Sequence, residues 1–271
     1  MDIKLEIIFL FISVLFSIVI LFFSYNILPD VIIKRFFSFT VIIDPSGIPY
    51  VDYKIIDGNN IGIQPNPVVI AQKGLEYFDS STGSAPHDIQ FGLNCADWLV
   101  RNIVRRETYS VWEYNFPWPY YNIPKPWISG MAQGLGIQLL LKAHSLTEDE
   151  IYLNTAEFAL NAFFIDLKDR GVTIKDEDGW WFEEYAHPSI NPVPFVLNGF
   201  LFSLIGIYDF YQYTGSEKAK ELTHQGIKKL LKELHSFDMG NWSYYDKLGT
   251  IATKKYHAVH IDLLEKLFHI S

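Results

Sequence analysis

The run Trp180-Trp181-Phe182-Glu183-Glu184-Tyr185, followed by Pro194-Phe195-Val196-Leu197-Asn198-Gly199-Phe200, decides how this chain is read. It sets two adjacent carboxylates and a phenol behind three aromatic rings, just before a long apolar segment. Residues 196–213 are apolar on nearly every face, which predicts a helix buried all round. Rings suit the apolar faces of sugars, and carboxylates and phenols can move protons. A second cluster lies near the C-terminus: Tyr244-Tyr245-Asp246, then Tyr256-His257-Ala258-Val259-His260. Together the two clusters point to proton chemistry on a carbohydrate.

Helix signals surround them. Asn66-Pro67 offers an N-cap and an N1 proline for a helix over 68–78. Asp88 can cap a helix running to about Val104, and Ser129 one running to Leu141. Thr147-Glu148-Asp149-Glu150 reads as a capping box for a helix through Phe163. Ser216 caps a charged amphipathic helix to about His235, and residues 257–270 close the chain. Short extended pieces rich in aromatics separate these helices at 109–116, 171–182 and 241–253. Alternating buried and amphipathic helices predict a mainly α fold, an incomplete α/α toroid with short β-hairpins and with the site in loops at one end.

Before the helices, 36–65 reads as a short β-rich lead-in, with a hairpin turn at Asp44-Pro45-Ser46-Gly47 and a second turn at Asp57-Gly58-Asn59-Asn60. From Ile7 to Leu28 no charged residue occurs. As a helix that run would be about 33 Å long, enough to cross a bilayer core of about 30 Å. It is too long for the apolar part of a signal peptide, and no small-residue cleavage site follows. The expected organisation is therefore a single-pass transmembrane helix and its flank over 1–35, the lead-in over 36–65, and a catalytic domain over 66–271. Lys34 and Arg35 favour a cytoplasmic domain by the positive-inside rule. A polysaccharide substrate favours an extracytoplasmic or lumenal one, and that is the expectation adopted.

In 271 residues the net charge is −9, which argues against a nucleic-acid surface. An acidic protein acting on an anionic sugar must gather its cations locally. Arg101, Arg105 and Arg106 form one group and Lys254-Lys255 another, although a solvated helix face is the better explanation of the first. Cys95 is the single cysteine, so there is no disulfide framework and no thiolate zinc site. His257 and His260 stand at metal-pair spacing, but no third ligand accompanies them. No metal and no cofactor are expected.

The order of several segments resembles the C-terminal domain of the D-glucuronyl C5-epimerases, which invert a uronic acid within a polysaccharide. The segments are Asn66–Leu75, Pro126-Trp127-Ile128-Ser129-Gly130-Met131-Ala132-Gln133-Gly134, Glu183-Glu184-Tyr185, Val196-Leu197-Asn198-Gly199-Phe200, Ser203–Asp209, Tyr245-Asp246 and Tyr256–Ile261. The β-rich domain that precedes this one in the animal enzymes is reduced at best to 36–60. Two residues after the Tyr-Asp pair the family has an arginine; here that place is Leu248, with Lys247 beside it.

The resemblance implies a uronosyl C5-epimerase, with Glu184 and Tyr256 as the pair flanking the sugar carbon and Tyr185 and Tyr245 as donors or relays. Trp127, Trp181, Asn198, His257, His260, Arg105 and Lys255 are the expected substrate contacts. The implied partners are a uronate-containing polysaccharide and, as in the animal enzymes, a second copy of the chain. On residue chemistry alone other readings stay open. Glu183-Glu184 could be an exposed helix-start pair, Tyr245 a packing residue, and Asn198-Gly199 a close-packing site. A polysaccharide lyase shares the first proton abstraction, and a tethered glycan-binding protein would need no catalysis.

Overall fold

A computed structural model describes residues 39–79 and 86–270. The expected anchor and its flank, 1–35, lie outside these residues. Among the described residues no helix is long and apolar enough to cross a membrane.

The lead-in forms where its turn chemistry puts it. Strand β1 (Thr40–Ile43) pairs antiparallel with β2 (Pro49–Asp52), Val41 facing Val51. The Asp44 carboxylate closes the turn by accepting from the N–H groups of Ser46 at 2.8 Å and Ile48 at 2.9 Å. Gly47 takes the left-handed conformation that this turn needs. A second tight turn joins β3 (Ile55–Ile56) to β4 (Asn59–Asn60), and β5 (Ile63–Pro65) adds to the other edge of β2. Ile48, Val51, Tyr53, Ile56 and Ile61 are buried in the same apolar core as the helices, so the lead-in shares the helical domain's interior.

Helix α1 (Pro67–Asp79) is capped by Asn66, whose side-chain oxygen accepts from Val68 and Val69. Helix α2 (Pro86–Asn102) begins two residues before Asp88, so that residue lies in the first turn and not at the cap. Short hairpins follow, β6 (Val104–Arg105) with β7 (Ser110–Val111) and β8 (Glu113–Tyr114) with β9 (Trp127–Ile128). Ser129 caps α3 (Gly130–Thr147). The expected capping box does not form. Thr147 ends α3, its hydroxyl donating to the Ala143 carbonyl, and Asp149 is the residue that caps α4 (Glu150–Leu160). Strands β10 (Thr173–Asp176) and β11 (Gly179–Phe182) form a hairpin that packs on α6 (Glu217–Glu233). Between them in the chain is α5 (Leu197–Thr214), buried along most of its length. Helix α7 (Lys254–Ile270) opens three residues earlier than His257, with Thr253 accepting from the Tyr256 N–H.

The helices form two ranks. α1, α3, α5 and α7 contact one another in succession, while α2, α4 and α6 lie against α1, α3 and α5. α3 and α5 approach closely because both carry glycine at the contact. A Cβ on Gly134 would lie 2.7 Å from the Phe202 oxygen and from the Ser203 Cα, and one on Gly206 would strike the Gly134 backbone. Beside this contact, Gln133 donates to the Ser110 and Ala159 carbonyls and accepts from the Trp112 N–H. The Met-Ala-Gln-Gly segment therefore ties three elements together.

In the aromatic run 180–182 only Trp180 stays half-buried, so the expected sugar platform of three rings does not form. Trp181 is fully buried and stacks on Phe200 with ring centroids 4.0 Å apart, and beyond that on Phe237. Phe182 is equally buried against Phe163 and Phe200. Trp181 and Phe182 point to opposite faces of β11, as successive strand residues do, and both faces are covered, Phe182 by α6 at Gly226 and Trp181 by Phe195, Phe200 and Phe237.

Candidate active site

The first turns of α3, α5 and α7 meet at one end of the inner rank, joined by the loops that precede them. Glu184 and Tyr185 follow β11, Asn198 and Gly199 open α5, and Tyr256 lies in the first turn of α7. Tyr245 precedes α7 in a loop. Its carbonyl accepts from the Leu197 N–H at 3.0 Å, and its own N–H donates to the Thr250 carbonyl. Helix starts carry unpaired N–H groups and the positive end of the macrodipole, so an anionic group entering here meets a favourable field.

Glu184 is the centre of this arrangement. It is 8% exposed and accepts from the Asn198 side-chain amide at 3.3 Å. Gly199 is the reason it fits, since any Cβ there would strike the Glu184 carboxylate. Burial pushes the Glu184 carboxyl up to about 8, and the neighbouring Glu183 charge adds to the rise; hydrogen bonds from Tyr185, Asn198 and the Gly199 backbone pull the other way. Neither acid is the exposed helix-start residue that composition allowed.

Phenols surround the carboxyl. Tyr185 is hydrogen-bonded both to Glu184 and to Tyr245. A phenol has a single proton, so Tyr185 donates either to the Glu184 carboxylate or to the Tyr245 oxygen at any one time. The Tyr245 ring in turn meets that of Tyr256, edge-on at 4.9 Å. Burial raises all three phenols, and Glu184 is the largest charge acting on each. Tyr256 is half-buried, and its hydroxyl is pushed up to about 12.

The remaining sequence-derived candidates divide. Trp127 lies beside the site, stacked on Tyr114 at 3.9 Å and 5.5 Å from the Tyr185 ring. His257 and His260 sit behind Tyr256, both held by the Ser243 hydroxyl, at 2.9 and 2.8 Å through Nδ1. His257 stacks on Trp242, while His260 is buried and driven down to about 3 by that burial. They brace the start of α7. Lys255 is exposed beside Tyr256. Arg105 is exposed on β6 over the Phe158 ring, and no contact ties it to the cluster. Trp181 belongs to the core. Lys247 is engaged by Glu233 and lies over the Phe195 ring, and Leu248 is exposed. Among the described residues no group of three or more His, Cys, Asp or Glu side chains could hold a metal ion.

Two participants escape the sequence reading, and a third was quoted there without a role. Tyr121, in a short 3-10 turn (Pro119–Tyr121), donates to the Asp246 carboxylate at 2.9 Å and packs on Tyr185 at 5.0 Å. Trp118 stacks on Tyr185 with planes 7° apart. The density of rings in Trp118-Pro119-Tyr120-Tyr121 is the signal that could have found both. Asp246, named in the sequence only as the partner of Tyr245, is the third. It is buried and accepts from the Leu248 and Thr250 N–H groups, the Thr250 hydroxyl and Tyr121, so it organises the loop that presents Tyr245.

The chain matches an uncharacterized protein of Methanocaldococcus jannaschii at 33% identity, over 79% of this chain and 74% of that one. It matches the D-glucuronyl C5-epimerase of Caenorhabditis elegans at 38% identity, over 63% of this chain and 30% of the worm protein. A family 76 glycoside hydrolase from a bovine Bacteroides thetaiotaomicron strain aligns with a TM-score of 0.49 at 13% identity, covering 76% of this chain and 43% of that one. The model of the D-glucuronyl C5-epimerase C-terminus matches residues 106–271, a stretch holding Glu184 and all four site tyrosines, and the chain belongs to that family.

Proposed function

We propose that the protein is a uronosyl C5-epimerase, converting D-glucuronate to L-iduronate units within a polysaccharide. The two ranks of helices are read as an incomplete α/α toroid with its active site in the loops at one end. The observation that carries the reading is Glu184. It is a buried acid that changes protonation state near neutral pH, hydrogen-bonded through Tyr185 to Tyr245 and electrostatically coupled to Tyr256.

Removing the C5 proton leaves electrons that must spread into the adjacent carboxyl group as an enediolate. The ionised Glu184 takes that proton, while N–H groups at the helix starts and phenol donors stabilise the oxygens. Tyr256 returns a proton from its hydroxyl to the opposite face. The resulting phenolate is reset by the proton now on Glu184, along the line Glu184–Tyr185–Tyr245 toward Tyr256. Iduronate reacts by the same steps in reverse. A midpoint near 8 leaves enough ionised Glu184 at neutral pH to act and makes it a stronger base than an ordinary carboxylate.

The test is incubation with a de-sulfated glucuronate polymer in D2O. Deuterium at C5 together with some iduronate is the expected result. Deuterium absent from every glucuronate polymer tried sinks the reading. An unsaturated product absorbing in the ultraviolet would identify a lyase, because elimination of the C4 substituent follows the same first step. Binding without exchange would identify a glycan-binding protein.

A further inference from the structure

One buried side chain holds both ends of the 184–195 loop. Glu183 accepts from the N–H groups of Glu184 at 3.0 Å and Tyr185 at 3.4 Å through one oxygen, and from Phe195 at 3.0 Å through the other. Its backbone is pinned as well, the N–H donating to Val172 and the carbonyl accepting from Gly130 at the start of α3. Phe195 is held at φ +53°, a left-handed conformation that an aromatic residue adopts only when its surroundings impose it. Three residues later Asn198 and Gly199 contact Glu184. Removing the Glu183 carboxylate would release the loop at the two places that fix the position of Glu184.

We propose that Glu183 is a positioning residue of the site: its ionised carboxylate clamps the loop that carries Glu184 and Tyr185, and it is the fixed negative charge beside the proton-transfer group. The inference rests on the epimerase reading only in taking Glu184 as that group. The titratable groups facing Glu184 are Glu183, Tyr114, Tyr121, Tyr185, Tyr245 and Tyr256. Burial holds all the phenols in their neutral form, which leaves Glu183 as the first of these to ionise as pH rises. Backbone N–H groups favour its ionised form, so burial lifts it only to about 7. The carboxyl with more N–H donors takes the charge first as pH rises, and that charge then raises the other.

The experiment follows the side-chain carboxyl carbons of the glutamate-labelled protein by 13C NMR across pH, with the Glu184 signal identified by its loss in Glu184→Gln. In the wild type Glu183 is expected to ionise first. Glu184 ionising first overturns the proposal without any change at position 183. In Glu183→Gln the Glu184 midpoint is expected to fall by about one unit, and the low-pH limb of kcat/KM for deuterium exchange to fall with it. An unchanged midpoint in a folded variant overturns it. Glu183→Asp keeps the charge at shorter reach, so Glu184 should stay near its wild-type midpoint while turnover drops; a fall as large as that in Glu183→Gln removes the charge from the argument. The titrations need no turnover, so a wild type that never exchanges deuterium defeats the epimerase reading, while the clamp and the order of ionisation are still read from the titrations.

Discussion

Two aromatic clusters lie a few residues apart in sequence and serve opposite ends. The first, Trp181, Phe182, Phe200 and Phe237, is sealed; its rings stack on one another and all four are buried. The second, Trp118, Tyr121, Trp127, Tyr185, Tyr245 and Tyr256, is built mostly from rings with a polar tip and gathers around a carboxyl. Both gain from burying ring area, but only the second must also satisfy hydroxyls, and those hydroxyls are what make it chemically useful. The boundary between them falls at Phe182-Glu183, where the strand that feeds the core ends.

The largest expected difference is in stability. Trp181→Ala should cost about 3–5 kcal/mol in denaturant unfolding, because its neighbours cannot close over the space left by an indole. A cost below about 1 kcal/mol would mean that the ring is a surface feature and the division drawn above is wrong. On the other side, Glu184→Gln and Tyr256→Phe should each lower C5 deuterium exchange by about a hundredfold or more with folding intact. Exchange from the glucuronate and iduronate sides should respond unequally to the two, since each group serves one face. Tyr185→Phe and Tyr245→Phe should cost less. Near-normal exchange in both Glu184→Gln and Tyr256→Phe would shift attention to Tyr245 and His260.

The buried acids also give stability a pH dependence. Glu184 keeps its proton in the folded chain up to about 8, whereas an unfolded carboxylate releases it near 4.5. The stabilising contribution is therefore complete below about 4.5 and is lost as pH rises through 8. Glu183 acts in the same direction up to about 7. Unfolding midpoints in Glu184→Gln should consequently fall less between pH 5 and 8 than in the wild type, and an equal fall would place the acid in solvent. The smallest effect belongs to Tyr121→Phe, which removes one donor from Asp246 and should cost roughly 1–2 kcal/mol. Its exchange rate should drop only several-fold, and a hundredfold loss would make Tyr121 a participant in proton transfer.

Helix existence was legible because it depends on neighbours in the chain. Asn66, Ser129 and Ser216 cap the helices they were expected to cap, since an N-cap contacts N–H groups only two or three residues away. The errors are at boundaries with competing partners. Thr147 lost the cap of α4 to Asp149 because it is still part of α3, so its hydroxyl reaches only the Asp149 N–H, while Asp149 reaches the Ile151 N–H. The expected lead-in hairpin formed for the same local reason, through the Asp44 side chain.

By itself, the sequence determined the mainly helical class, the capped helix starts and the concentration of acids and phenols in two segments. These follow from periodicity, capping and residue chemistry at short range. Which buried ring borders the acid and phenol cluster and which packs only among core rings was decided only in three dimensions. Trp181 and Trp127 are the same side chain in equally aromatic surroundings, and the difference is that β11 packs against α6 while β9 leads into the loop end of α3. The division of labour between Glu183 and Glu184 was likewise tertiary. Nothing in two identical neighbours distinguishes them until Phe195 supplies an N–H to one, and Asn198 and Gly199 close around the other.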